Sequence, residues 1–304
     1  MLRAGKRWGL ERARRWRHGL PVRERLHGVG RASGFRASTR PIIRWIKGDG
    51  RDDGITRAAL AQATRLFGDE VDYCVCSVDV SAARMRAVTA WATQPVTWFP
   101  VGRRDNPRLA ARLGAAGCRR DAFGYWWKWF PDRVRPDAPE WILDGDMVVV
   151  GRPDWFDDWK AGRDPLRVSQ SDDAPPEHSG EYADLIDPER MLYSGLVSLP
   201  PGLDYLGELI ALLDRRPLRP GHDGRRNVSE QGAIAAVFAT LGAVPIPLAE
   251  FPFAVAGDDT LATGRSGSDR PVWGYHFGNA FRGPNHWFEQ LVRDGIVDGG
   301  PAAP

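Results

Sequence analysis

Between Trp141 and Val150 the chain runs Trp-Ile-Leu-Asp-Gly-Asp-Met-Val-Val-Val. Without Asp144, Gly145 and Asp146 this is a continuous apolar stretch of the kind that fills the centre of a parallel sheet. Two carboxylates conflict with such a position. An ionised carboxylate buried without a partner costs several kcal/mol, and residues two apart on a strand project to the same side, so the pair would repel. A divalent ion such as Mn²⁺ or Mg²⁺ resolves the conflict, because it takes oxygen ligands in octahedral geometry and completes its shell with water and substrate phosphates. Gly145 would leave room for a diphosphate to approach. The competing reading is an acidic turn between two short strands, which Asp-Gly dipeptides commonly make.

The surroundings favour the first reading. Helix-like and strand-like pieces alternate from Thr56 onward: a helix to Phe67, a strand Val71 to Val78, a helix capped by Ser81, and a strand Val96 to Val101. Asn106-Pro107 then opens a helix that Gly114 or Gly117 closes. Such alternation implies a mostly parallel sheet flanked by helices, and open sheets of that kind bind ligands at the carboxyl ends of their strands.

Composition bounds the rest. With 304 residues, 42% of them hydrophobic, the chain can build one main globular domain. It contains no apolar run of about 18 residues and no secretory leader pattern, so a cytoplasmic protein is expected. Cys74, Cys76 and Cys118 are odd in number, two of them lie in an apolar strand, and no second ligand pair accompanies them. They read as buried thiols, neither a disulfide framework nor a zinc site. The net charge of +3 hides an asymmetry: residues 1–48 hold 14 basic against 2 acidic side chains, leaving 28 against 37 for the remainder. Residues 1–48 are therefore expected to form a basic arm, partly disordered or resting peripherally on anionic membrane at the inner face. Arginine supplies 38 of the 42 basic residues, a bias that spans the whole chain, and nucleic acid is not an expected partner. A catalytic domain over 49–292 and a disordered tail over 293–304 complete the division.

The order of features from Val71 to Trp287 resembles the GT-A glycosyltransferases, most closely the family-8-like retaining enzymes of the galactosyltransferase and glycogenin kind. The resemblance implies a Rossmann-like mixed, mostly parallel sheet in a single domain. It makes Asp144 and Asp146 ligands of the metal that bridges the donor diphosphate. It also makes His276, in Val272-Trp273-Gly274-Tyr275-His276-Phe277-Gly278, the third ligand. Lys128, within Tyr125-Trp126-Trp127-Lys128-Trp129-Phe130, matches the family's basic residue in the helix before the DxD strand, where it meets donor sugar or phosphate. Leu192 to Leu199 resembles the acceptor-side strand, with Tyr193 in place of the family's asparagine and with Ser194 and Gly195 retained. Glu230 and Gln231 match the Asp-Gln that begins a helix beside the transferred sugar, although Ser229 and Glu230 also suit an ordinary helix start. Asp79, after the strand ending at Val78, and Gly278 join the nucleotide-binding set. Arg282, Pro284 and Trp287 stand, with shifted spacing, near the family's Lys-Pro-Trp. His178, His222, Asp172 and Asp173 read as loop residues.

The function these residues imply is transfer of a sugar from a nucleotide-diphosphate sugar, taken as a UDP-hexose, to a carbohydrate, lipid or protein acceptor, with Mn²⁺ or Mg²⁺ as cofactor. Retention of configuration follows the resemblance, while Glu230 or Asp173 would act as base in an inverting enzyme. Two rivals stay open at this level: a nucleotidyltransferase, which lacks its Gly-rich basic loop here, and a non-catalytic polyanion-binding protein.

Overall fold

The computed structural model describes residues 33–48, 53–118, 123–170, 176–187, 192–221, 228–252, 271–277 and 286–297. At the centre of its sheet lies a strand absent from the sequence reading. Strand β1 (Ile42–Lys47) runs parallel between β2 (Asp72–Ser77) and β4 (Glu140–Leu143), and β3 (Val96–Pro100) adds in parallel outside β2. Beyond β4 the sheet continues through β7 (Leu192–Leu199), β6 (Arg167–Gln170) and β8 (Val244–Ile246). Only β7 runs against the others, since it is antiparallel to both β4 and β6 while β6 and β8 are parallel. The sheet is thus mixed and mostly parallel, as expected.

The boundary expected after residue 48 therefore falls inside the domain. Arg44 and Lys47 interrupt the apolar run of β1 and gave it the look of a basic arm, yet both are buried. Arg44 meets Glu140 at 2.5 Å and donates to the Pro131 carbonyl at 3.0 Å. Lys47 pairs with Asp53 at 3.0 Å. Cations can enter a sheet interior when each finds a partner of opposite charge there. A similar correction applies at the other end, where Val297 is fully buried and its amide donates to Leu291, so the folded body continues past residue 293. Residues 1–32 lie outside the described part.

Alternation along the strands divides the apolar side chains between two cores. Trp141 and Leu143 of β4 face one, with Ile43, Trp45 and helix α1 (Asp53–Leu66). Ile142 faces the other, with helices α3 (Pro107–Ala115), α4 (Tyr205–Arg215) and α5 (Val228–Thr240). Helix α2 (Ala82–Thr89) precedes α3, with Ser81 accepting from the Arg84 amide as its cap, and α6 (His286–Arg293) follows the last strand. Asn106 caps α3 by accepting from the Leu109 amide at 3.0 Å, with Pro107 in the first turn. Among the described residues, no helix is long and apolar enough to cross a membrane.

The apolar stretch around the acidic motif is not one strand. It ends at Leu143, turns through Asp144, Gly145 and Asp146, and resumes as β5 (Met147–Val149). The turn is closed by the Met147 amide on the Asp144 carbonyl at 3.2 Å. Strand β5 leaves the main sheet and forms an antiparallel ribbon with β9 (Gly274–His276), pairing Met147 with His276.

Near the amino ends of β2 and β4, Glu140 is fully buried between Arg44 and Arg133. Removing one partner of such a group leaves uncompensated buried charge. Glu140→Gln is expected to cost about 3–5 kcal/mol, read from urea denaturation, and a loss under about 1 kcal/mol would contradict the structural role assigned to this network.

Candidate active site

Asp144 and Asp146 sit on the turn at the carboxyl end of β4, and the β5–β9 ribbon carries His276 back to face them. One ligand atom from each of the three lies within 4.8 Å of the others. His276 Nε2 is 3.3 Å from Asp146 Oδ1, and the Phe277 amide donates to the Asp146 carbonyl at 3.0 Å. Convergence comes from this turn and ribbon, not from the same-side projection along one strand that the sequence suggests.

Lys128 lies in a 3-10 turn, Gly124–Trp129, where a regular helix was expected. Gly124 enters it at φ +49°, left-handed backbone open to glycine. The Lys128 ammonium is 2.6 Å from Asp144 Oδ1 and also donates to the Ser194 carbonyl. Burial pushes the Asp144 carboxyl above its ordinary range, with the Lys128 charge opposing that rise and Asp146 adding to it.

Glu230 is buried in the first turn of α5 and accepts from the Trp129 indole. Burial raises its carboxyl to about 7, against the nearby Lys128 charge and the indole hydrogen bond. Ser229 lies within the helix, and its hydroxyl donates to Glu181 at 2.6 Å, so it does not serve as the cap. Gln231 is buried beside Glu230. A Cβ on Gly232 would come within 2.0 Å of the Ser179 carbonyl oxygen, so a side chain at residue 232 would push this helix start off the Pro176–Leu185 segment.

Two glycines serve packing instead of open space. The Gly145 carbonyl accepts from Thr56 of α1 at 2.7 Å, which docks the turn on that helix in a buried position. At Gly195 a Cβ would lie 2.5 Å from the Met147 side chain and 2.7 Å from the Tyr193 ring. Asp79 is exposed just beyond the carboxyl end of β2, with φ +54°, a conformation to which aspartate is better suited than most residues. Gly278, Asp172, Asp173, His222, Arg282 and Pro284 lie outside the described residues.

Several residues of the site were not singled out by sequence. Thr56, which holds the Gly145 carbonyl, is hidden in a segment read as plain helix. Tyr193 entered only as a departure from the family pattern, yet its ring lies 5.1 Å from that of His276. Burial, with the charges of Asp144 and Asp146, pushes its hydroxyl well above the ordinary value.

Glu230 gives a pH signature. Its folded carboxyl, at about 7, lies above the ordinary 4.5 expected of the unfolded chain, so its contribution to stability is full below 4.5 and is lost as pH rises through 7. In metal-free buffer, Glu230→Gln should flatten the decline in denaturation midpoint between those values. An unchanged slope would show that Glu230 does not titrate in this window.

No protein-family model and no curated protein sequence matches the chain. Solved structures do. The WbbM bifunctional glycosyltransferase shares 14% identity at TM-score 0.53, over 87% of this chain and 50% of that one. The galactosyltransferase LgtC, in complex with donor and acceptor sugar analogs, shares 14% at TM-score 0.49, over 86% of this chain and 97% of its own. Mouse xyloside xylosyltransferase 1 shares 11% at TM-score 0.48, over 80% and 98%. The mixed seven-stranded sheet, read with the likeness to WbbM, gives this chain a GT-A-type glycosyltransferase fold.

Proposed function

We propose that this protein is a metal-dependent glycosyltransferase moving a sugar from a nucleotide-diphosphate sugar, taken as a UDP-hexose, to an acceptor hydroxyl. One observation carries the reading: the ligand atoms of Asp144, Asp146 and His276 gather within 4.8 Å at the carboxyl end of a parallel strand. Open sheets place ligands there.

The cluster suits a divalent ion by charge and by donor type. Among the described residues the two carboxylates of the cluster face one ammonium, that of Lys128, so an excess of negative charge remains for an ion to offset. Carboxylate oxygens with one imidazole nitrogen suit Mn²⁺, and Mg²⁺ favours the oxygens. When bound, such an ion would neutralise the diphosphate leaving group.

The chain's own residues supply the remaining functions. Lys128 holds the Asp144 carboxylate in place and adds a fixed positive charge where the leaving group would develop negative charge. Glu230, with a carboxyl near 7, can hold or release a proton at neutral pH beside the transferred sugar. Gln231 offers both a donor and an acceptor to sugar hydroxyls. Ser194 and Gly195 would border the acceptor side, and Asp79 the nucleotide.

Incubation with a panel of nucleotide sugars and Mn²⁺ is expected to release nucleoside diphosphate. Asp146→Asn should lower the rate about 100-fold or more. Turnover that survives the substitution or EDTA would overturn the metal assignment. Pyrophosphate release would favour nucleotidyl transfer instead.

A further inference from the structure

The ladder between β6 and β7 breaks beside the site. Val168 pairs with Val197, but the next residue, Ser169, pairs with Tyr193, so Ser194, Gly195 and Leu196 of β7 bulge out between two consecutive residues of β6. Bulges re-aim side chains and gather next to functional sites. Here each bulged residue offers a backbone group to a neighbour. The Ser194 carbonyl receives Lys128, the Gly195 carbonyl receives the Asp144 amide at 3.0 Å, and the Leu196 amide donates to the Ser169 hydroxyl at 3.1 Å. That hydroxyl in turn donates to the Tyr193 carbonyl at 2.7 Å, bridging the gap in the ladder.

The bulge fixes where the Tyr193 ring goes. It lies against Gly195, where a Cβ would sit 2.7 Å from it, and packs on His276 with ring centroids 5.1 Å apart and planes 36° from parallel. His276 is also held by its pairing with Met147 in the ribbon, by a backbone hydrogen bond to Pro252 at 3.0 Å and by the contact of Nε2 with Asp146 at 3.3 Å. An imidazole can rotate about its own side-chain bonds even when its backbone is held, and a ring packed against it restricts that freedom.

We infer that Tyr193 is a positioning residue for His276, its ring holding the imidazole in the orientation that completes the Asp144–Asp146–His276 ligand set. This rests on the metal-site reading above. The aromatic ring performs the role, and the Ser169-bridged bulge presents it. Groups that orient a metal ligand change affinity when removed, typically by 10–100-fold.

The test is Mn²⁺ binding to the full chain, measured by calorimetry and by electron paramagnetic resonance of the bound ion, so that turnover is not needed. Tyr193→Phe, which keeps the ring, should bind within about threefold of the parent, and Tyr193→Ala about 10–100-fold more weakly with an altered spectrum. Tyr193→Leu, which refills the space without a ring, should follow Tyr193→Ala and serves if the alanine variant does not fold. In a His276→Ala background, adding Tyr193→Ala should cause no further loss, a result that general destabilisation would not give. Equal affinity and spectra for the parent and the variants lacking the ring would overturn the inference, as would additive losses in the double variant. Absence of Mn²⁺ binding by the parent would overturn the metal site itself, a distinct result.

Discussion

Asp144 is the point through which the site is tied to the fold. Its carboxylate takes the Lys128 ammonium at 2.6 Å, its amide donates to the Gly195 carbonyl at 3.0 Å, and its own carbonyl closes the turn onto Met147 at 3.2 Å. Four pieces of chain thus meet at one residue: the 3-10 turn, the end of β4, the bulge of β7 and the start of β5. The turn sends β5 out of the main sheet, and only because β5 leaves can β9 pair with it and bring His276 opposite Asp146. The carboxylate charge that burial disfavours is compensated by Lys128, while the backbone bonds fix where that carboxylate sits.

Charge at the two ends of the sheet is handled in opposite ways. Near the amino ends of β2 and β4, Glu140 lies between the guanidinium groups of Arg44 and Arg133, and Arg135 reaches Asp72 at 2.7 Å. Glu140 and Asp72 each have cations beside them, and the network serves as structure. At the carboxyl end of β4 the balance differs: among the described residues, Asp144, Asp146 and Glu230 gather around Lys128, with His276 opposite Asp146. An excess of buried negative charge is costly to keep unless a ligand offsets it. That difference distinguishes a site from a structural ion network, although both consist of the same residue types.

Much of this was legible in the sequence because strong local patterns survive folding. The apolar runs at Val71, Val96 and Leu192 became β2, β3 and β7, Asn106-Pro107 began a helix, and the spacing of acidic and histidine residues led to a cluster that meets in space. The failures share one physical cause, namely partners remote in sequence. Arg44 disguised β1 because its counter-charge, Glu140, lies far along the chain. The stretch from Trp141 to Val150 looked continuous because apolarity alone does not reveal that β5 pairs with β9 and not within the main sheet. Tyr193 looked like a loss of the family's asparagine, since the β6–β7 slip that aims it is a property of two strands.

Glycines around the site make the same point from the side of packing. At Gly195, Gly232 and Gly274 an added Cβ would come within 2.0–2.5 Å of Met147, Ser179 and Phe251 respectively. These three lie on the β7 bulge, at the start of α5 and in β9, the elements that carry Tyr193, Glu230 and His276. Each candidate group is therefore presented by glycine backbone pressed against a neighbour, the Ser179 backbone at Gly232 and the Met147 and Phe251 side chains at Gly195 and Gly274. Close-packed interiors transmit displacement instead of absorbing it, so a shift in any one of these elements would move Tyr193, Glu230 or His276. The geometry of the candidate site is thus set by where side chains are missing as much as by the acidic motif itself.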